Sequence, residues 1–192
     1  MSSPPNITWE IDYAIAVDES SSVTPANFEF SRAFVVALFT AATARSETAR
    51  YSIVTFTIIT NELVRQVDNV AATAAIFAHQ KASGGTSIAA ALIAATDTLI
   101  GSGAGEVLRE RVIFLLTDGA SNGPAATAAA DVAKADGIVI VTIAVGAAVN
   151  QALLSSLASN LQLVFSVVQE DQLLGLVDNL LDKACYVSRS FR

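Results

Sequence analysis

The chain has 192 residues, of which 53% are hydrophobic, and its 18 acidic against 11 basic side chains give a formal charge of −7. That length holds one domain with a real core and leaves no room for a second full one. The acidic balance, with no cluster of Lys or Arg, excludes nucleic acid as a partner, because phosphate neutralisation needs a basic patch.

The start, Met1-Ser2-Ser3-Pro4-Pro5-Asn6, lacks a charged leader followed by an apolar stretch and does not read as a secretory signal. Asn6-Ile7-Thr8 fits a glycosylation sequon, a pattern short enough to arise by chance. Trp9 reads as an anchor for the first strand. No apolar run reaches the roughly 18 residues of a membrane span, so the sequence predicts a soluble protein without membrane insertion. Residues 1–10 are an N-terminal extension, 11–184 the domain and 185–192 a C-terminal tail.

Ile11 to Val17 is a short apolar run of strand type. Thr24-Pro25 offers a cap and a first-turn proline for a helix in which Phe30, Phe34, Leu38 and Ala41 recur at helical spacing. Tyr51 to Thr57 and Ile59 to Arg65 are β-branched-rich and too close together for a crossover helix, which predicts a hairpin and one antiparallel edge strand. Val70 to His79 reads as a short helix with His79, the only histidine, on the surface. Gly84-Gly85 breaks the chain, after which Ile88, Leu92, Ala95 and Leu99 stripe a longer helix.

Gly101-Ser102-Gly103-Ala104-Gly105 follows a helix and precedes a strand, the reverse of a dinucleotide-binding fingerprint, and reads as a flexible turn. Arg111 to Thr117 and Ile138 to Val145 are continuous apolar runs of the kind central parallel strands show. Pro124 to Ala135 is a helix between them, with Asp131 and Lys134 a solvated charge pair. Asn150 to Leu157 is helical and Leu161 to Val167 is a last strand. Glu170 to Lys183 is a helix with Leu173, Leu174, Val177, Leu180 and Leu181 on one face. The alternation predicts an α/β fold, a doubly wound, Rossmann-like, mostly parallel six-stranded sheet covered by helices on both faces.

Three motifs stand out; the first and third follow directly on strands, where such a sheet places its functional loops, and the second is held by a helix start. They are Asp18-Glu19-Ser20-Ser21-Ser22, Gly84-Gly85-Thr86-Ser87 and Leu115-Leu116-Thr117-Asp118-Gly119. Asp18, Ser20, Ser22, Thr86 and Asp118 offer two carboxylates and three hydroxyls, the hard oxygen donors that a cation such as Mg²⁺ takes. In Asp-x-Ser-x-Ser the alternate side chains converge if the backbone stays extended on leaving the strand. The intervening Glu19 then points elsewhere and reads as solvated. With waters filling the remaining positions, the site keeps one open to a carboxylate from outside.

This combination resembles the metal-ion-dependent adhesion site of von Willebrand factor type A domains, which are also the inserted domains of integrins, over about Ile11 to Lys183. The resemblance implies that Ser20, Ser22 and Thr86 ligate the metal directly, while Asp18 and Asp118 act directly or through water. Many family members carry Gly where this chain has Glu19. The resemblance also implies a non-enzymatic adhesion or matrix module, extracellular or at the cell surface as part of a larger protein. Its Mg²⁺, with Mn²⁺ or Ca²⁺ as alternatives, takes a Glu or Asp side chain from a protein partner. The lone Cys185 has no partner for a disulfide within the chain. In related extracellular domains a cysteine past the last helix often pairs with one ahead of the first strand, so the partner of Cys185 is missing, lies outside this stretch of sequence or belongs to another chain, and a free thiol is the alternative.

Two alternatives stand beside this reading. One is a structural, self-assembling domain with weak or vestigial metal binding. The other is a Mg²⁺-dependent hydrolase or phosphotransferase with Asp18 as nucleophile. Haloacid dehalogenase-type phosphatases place a second aspartate where this chain has Ser20, and they need a lysine that the sequence does not point to.

Overall fold

The computed structural model describes residues 10–46, 48–100, 109–118, 123–146 and 149–190. The sequon at Asn6, Trp9, the turn Gly101 to Gly105, Gly119 and the side chain of Cys185 lie outside them. Six strands form one sheet: β1 (Ile11–Asp18), β2 (Arg50–Phe56), β3 (Thr60–Val67), β4 (Glu110–Thr117), β5 (Val139–Val145) and β6 (Val164–Val167). Their order is β3-β2-β1-β4-β5-β6, with only β3 antiparallel to its neighbour. The helices are α1 (Pro25–Arg45), α2 (Asn69–Ala78), α3 (Ile88–Ile100), α4 (Gly123–Ala135), α5 (Gln151–Leu157) and α6 (Val177–Ser190).

The alternation of side chains along a strand splits the core in two. Tyr13, Ile15 and Val17 of β1 face a layer containing Phe34, Leu38 and Phe39 of α1 and Leu180 and Leu181 of α6. Ala14 and Ala16 face the other way, toward Ile88, Leu92 and Leu99 of α3 and Ala126 and Ala130 of α4. The small side chains on that face let α3 and α4 approach the sheet closely. On the first face, Tyr13 stacks against Tyr51 at 5.9 Å and Phe114 at 5.8 Å between ring centres. Every residue of β1 is buried, as expected for a central strand covered on both sides.

Three expectations need correction. Phe30 is 43% exposed, and the buried stripe of α1 runs instead through Phe28, Phe34, Val35, Leu38 and Phe39. The final segment is not one helix: Glu170–Leu176 winds as a tighter 3₁₀ segment around Gly175, and α6 begins at Val177. Three residues per turn instead of 3.6 rotates the stripe, so Leu173, Leu180 and Leu181 are buried while Leu174 is half exposed. The last strand is likewise shorter, because Leu161–Leu163 form a 3₁₀ turn in which the Asn160 side chain accepts the Gln162 N–H.

The β2–β3 hairpin is present, and its edge strand carries an irregularity near Tyr51 and Ile53. There Gln66 adopts a φ of 50° and gives its backbone N–H to Ser52 Oγ at 3.0 Å. Such a bulge twists the edge strand and disrupts its ladder.

Candidate metal centre

Strands β1 and β4 are parallel neighbours, with Val17 level with Leu116. The chain leaves β1 toward one sheet edge and β4 toward the other, so the crevice of the doubly wound sheet opens at their carboxyl ends. Asp18 and Asp118 stand at its two sides.

The Asp18 carboxylate is fixed by two donors. Its Oδ1 accepts the Ser20 N–H at 2.9 Å and its Oδ2 accepts the Thr117 hydroxyl at 2.6 Å. Burial pushes the Asp18 carboxyl above its ordinary value; the hydrogen bonds from Thr117 and Ser20 pull the other way, and the nearby Asp118 charge adds to the rise. Thr117 is not among the residues expected from the sequence, although it sits inside one of the motifs.

The serines meet for a reason other than extended backbone. The chain turns at once, with Val23 N–H bonded to Ser20 O at 3.1 Å, and this turn brings Ser20 Oγ to 3.0 Å from Ser22 Oγ. Ser22 Oγ donates in turn to Asp118 Oδ1 at 3.0 Å. Either hydroxyl of the Ser20–Ser22 pair can be the donor, and the Ser20 hydroxyl also reaches the Asp18 carboxylate. Each hydroxyl oxygen still keeps at least one lone pair for an electrophile.

Thr86 lies in the loop before α3, partly exposed. It is tied to the others through its backbone neighbours: Ser21 N–H bonds Gly84 O at 2.9 Å, and Ser87 N–H bonds Thr57 O at 2.8 Å. A Cβ on Gly85 would stand 2.9 Å from Ile58 Cγ2, so a larger residue requires the exposed Ile58 side chain or the loop to shift. No side-chain hydrogen bond joins Thr86 directly to the other four among the described residues. The structure thus links Asp18, Ser20, Ser22 and Asp118 side chain to side chain and brings Thr86 alongside them.

Glu19 is the main correction. It is buried with zero exposure, not solvated. His79 Nε2 donates to Glu19 Oε2 at 2.7 Å, Ala82 N–H donates to the same oxygen at 2.8 Å, and Asn61 Nδ2 approaches Oε1 at 3.3 Å. Burial raises the Glu19 carboxyl, but the Ala82, His79 and Thr55 hydrogen bonds outweigh it and hold the group below its ordinary value. His79, expected on the surface, is mostly covered beyond the end of α2, edge-on to Phe28 at 6.2 Å. Its carbonyl accepts from Arg32. Lys81 is a residue that the sequence does not single out, and its ammonium donates to the carbonyls of Glu19, Ser20 and Ala82 at 2.9, 3.1 and 2.7 Å.

The donor set fits a hard divalent cation. Two carboxylates repel each other across a partly buried crevice, and hydroxyl oxygens complete the set. No group of three or more His, Cys, Asp or Glu occurs among the described residues, so a nitrogen or sulfur cage is not what these side chains offer.

Comparison with known proteins agrees with this architecture. The family profile of the von Willebrand factor type A domain matches residues 12–179. Proximal thread matrix protein 1 of the mussel byssus superposes with a TM-score of 0.78 at 23% identity, over 93% of this chain and 47% of its own. A structure of the same mussel protein has a zinc-occupied MIDAS motif, with a TM-score of 0.78 and 23% identity over 93% of this chain and 46% of its own. The pilus adhesin SpaC from Lactobacillus rhamnosus GG gives 0.77 at 13% identity, over 97% of this chain and 31% of its own. The chain therefore spans about half the length of the mussel protein. Among curated proteins, none matches by sequence.

Proposed function

The chain belongs to the von Willebrand factor type A domain family, and from that premise we propose that it is a metal-dependent protein-binding module of adhesion or matrix type. The observation that carries this reading is the hydrogen-bonded line Ser20, Ser22, Asp118, which sets two hydroxyls and a carboxylate beside the buried Asp18. Ser20, Ser22 and Thr86 would hold Mg²⁺, or Mn²⁺ or Ca²⁺, with Asp18 and Asp118 supplying the opposing charge. When bound, such an ion supplies an electrophilic position to an oxygen ligand from outside.

The residues themselves favour binding over turnover. Asp18 is held at both oxygens by Thr117 and Ser20, which suits an orienting group better than a nucleophile. Ser20 stands where a haloacid dehalogenase-type enzyme carries its second aspartate, and Lys81 gives its hydrogen bonds to backbone carbonyls. A net charge of −7 disfavours an acidic partner at every place except one where a cation reverses the local field. A partner that presents a Glu or Asp side chain would therefore place it at this crevice.

An extracellular or cell-surface setting within a larger protein is supported by the likeness to a byssal matrix protein and a pilus adhesin. No described helix is long and apolar enough to cross a membrane. The test is selection of displayed random peptides on the protein in Mg²⁺, with elution by a chelator. Recovered peptides should carry Glu or Asp in common; peptides that lack an acid, or that stay bound without divalent cations, contradict the reading.

A further inference from the structure

Glu19 and Lys81 make a clasp between two loops that come from distant parts of the chain. The Glu19 carboxylate takes hydrogen bonds from His79 Nε2 and Ala82 N–H, reaching from the first motif into the segment that leads to Gly84-Gly85-Thr86. Lys81 reaches back the other way and donates to the Glu19 and Ser20 carbonyls. Two charged groups thus cross in opposite directions between the loop carrying Ser20 and Ser22 and the loop carrying Thr86. Charge-assisted bonds of this kind are the stronger ones, and they restrain both partners in direction.

Neither residue belongs to the two apolar core layers. A buried carboxylate is costly to desolvate, and a well-packed apolar replacement is often as stable. Lys81 bonds the carbonyls on both sides of the Ser20 α-carbon and so restrains the backbone that carries its hydroxyl. Nothing else among the described side-chain contacts ties these two loops together so firmly, apart from the exposed pair Ser21 Oγ and Ser83 Oγ at 2.9 Å.

We propose that Lys81 and Glu19 are positioning residues that set the spacing of Ser20 and Ser22 relative to Thr86, and so set the affinity for the divalent cation. This role rests on the metal-site reading of the crevice. Residues that orient metal ligands from behind typically change affinity by about 10–100-fold when removed. The sign is informative. Removing the Lys81 charge near a cation would, by charge alone, tighten binding, whereas loss of positioning weakens it.

The test is titration of Mn²⁺ into the whole chain, followed by the paramagnetic resonance signal of free Mn²⁺, for wild type, Lys81→Met, Glu19→Gln and Arg109→Met. Arg109 lies at the far end of the sheet, so its variant loses stability without touching the site. The expected result is a Kd raised about 10–100-fold in Lys81→Met, a smaller rise in Glu19→Gln, and no change in Arg109→Met at comparable loss of thermal stability. If Lys81→Met does not fold, Glu19→Gln decides by the same measurement. Wild-type protein that binds no Mn²⁺ would overturn the metal site itself. Wild type that binds, with folded Lys81→Met and Glu19→Gln binding as tightly or more tightly, would overturn the clasp alone.

Discussion

Strand β1 buries an aspartate near each end, and the surroundings treat the two in opposite ways. Asp12 is gripped by cations: Arg50 Nε and Nη2 reach its two oxygens at 2.8 and 2.7 Å, and Arg109 Nε adds a contact at 2.7 Å. Arg109 also bonds Glu10 at 2.7 Å and the Thr48 carbonyl at 2.6 Å, closing that pole of the sheet. Asp18 has no such partner among the described contacts; it meets hydroxyl and amide donors, and its charged neighbour is another carboxylate. One end of the strand has its charge balanced by the chain. The other leaves negative charge for something from outside to balance.

Breaking the first end should cost the most stability. Asp12→Ala removes the carboxylate that Arg50 and Arg109 share, leaves Glu10 as the one counter-charge of Arg109 among the described residues, and should lower the unfolding free energy by about 3 kcal/mol in urea titrations. Its Mg²⁺ affinity should stay that of wild type. At the second end, stability should depend on the cation. Mg²⁺ at a hundred times its Kd should raise wild-type stability by about 2.7 kcal/mol, and Asp118→Ala should lose that increment completely.

Smaller changes sharpen the contrast. Thr86→Ala removes one hydroxyl from the set and should weaken Mg²⁺ about tenfold, or about 1.4 kcal/mol by calorimetry. Asp118→Asn keeps an acceptor for Ser22 while removing the like charge beside Asp18. In the presence of a chelator it should therefore be more stable than wild type by about 0.5 kcal/mol. A gain of that sign at Asp118, set against a loss at Asp12, would show that the chain gives up stability at one pole and not at the other.

Local pattern carries the fold well. The continuous apolar runs of β1, β4 and β5 are legible because a strand covered on both faces needs apolar side chains in both directions. The stripe Ile88, Leu92, Ala95, Leu99 is fully buried, since a regular helix keeps its phase over that length. Where the winding changes, as at Glu170–Leu176, the phase is lost and Leu174 turns outward. The three motifs are legible because each is contiguous, and two of them end the strands β1 and β4 while the remaining one precedes α3. The roles of Glu19, His79 and Lys81 are not legible in the sequence, because they come from partners some sixty positions away in the chain. No periodicity records that a carboxylate will be enclosed by a histidine, a backbone amide and the end of a hairpin.

The most direct measurement is calorimetric titration of Mg²⁺ into wild type, Asp12→Ala and Asp118→Ala, each prepared free of metal. Saturable binding at one site in the first two and none in the third is the expected result. Absence of binding in wild type, or binding that persists in Asp118→Ala, would contradict the assignment of the β1–β4 crevice as a cation site.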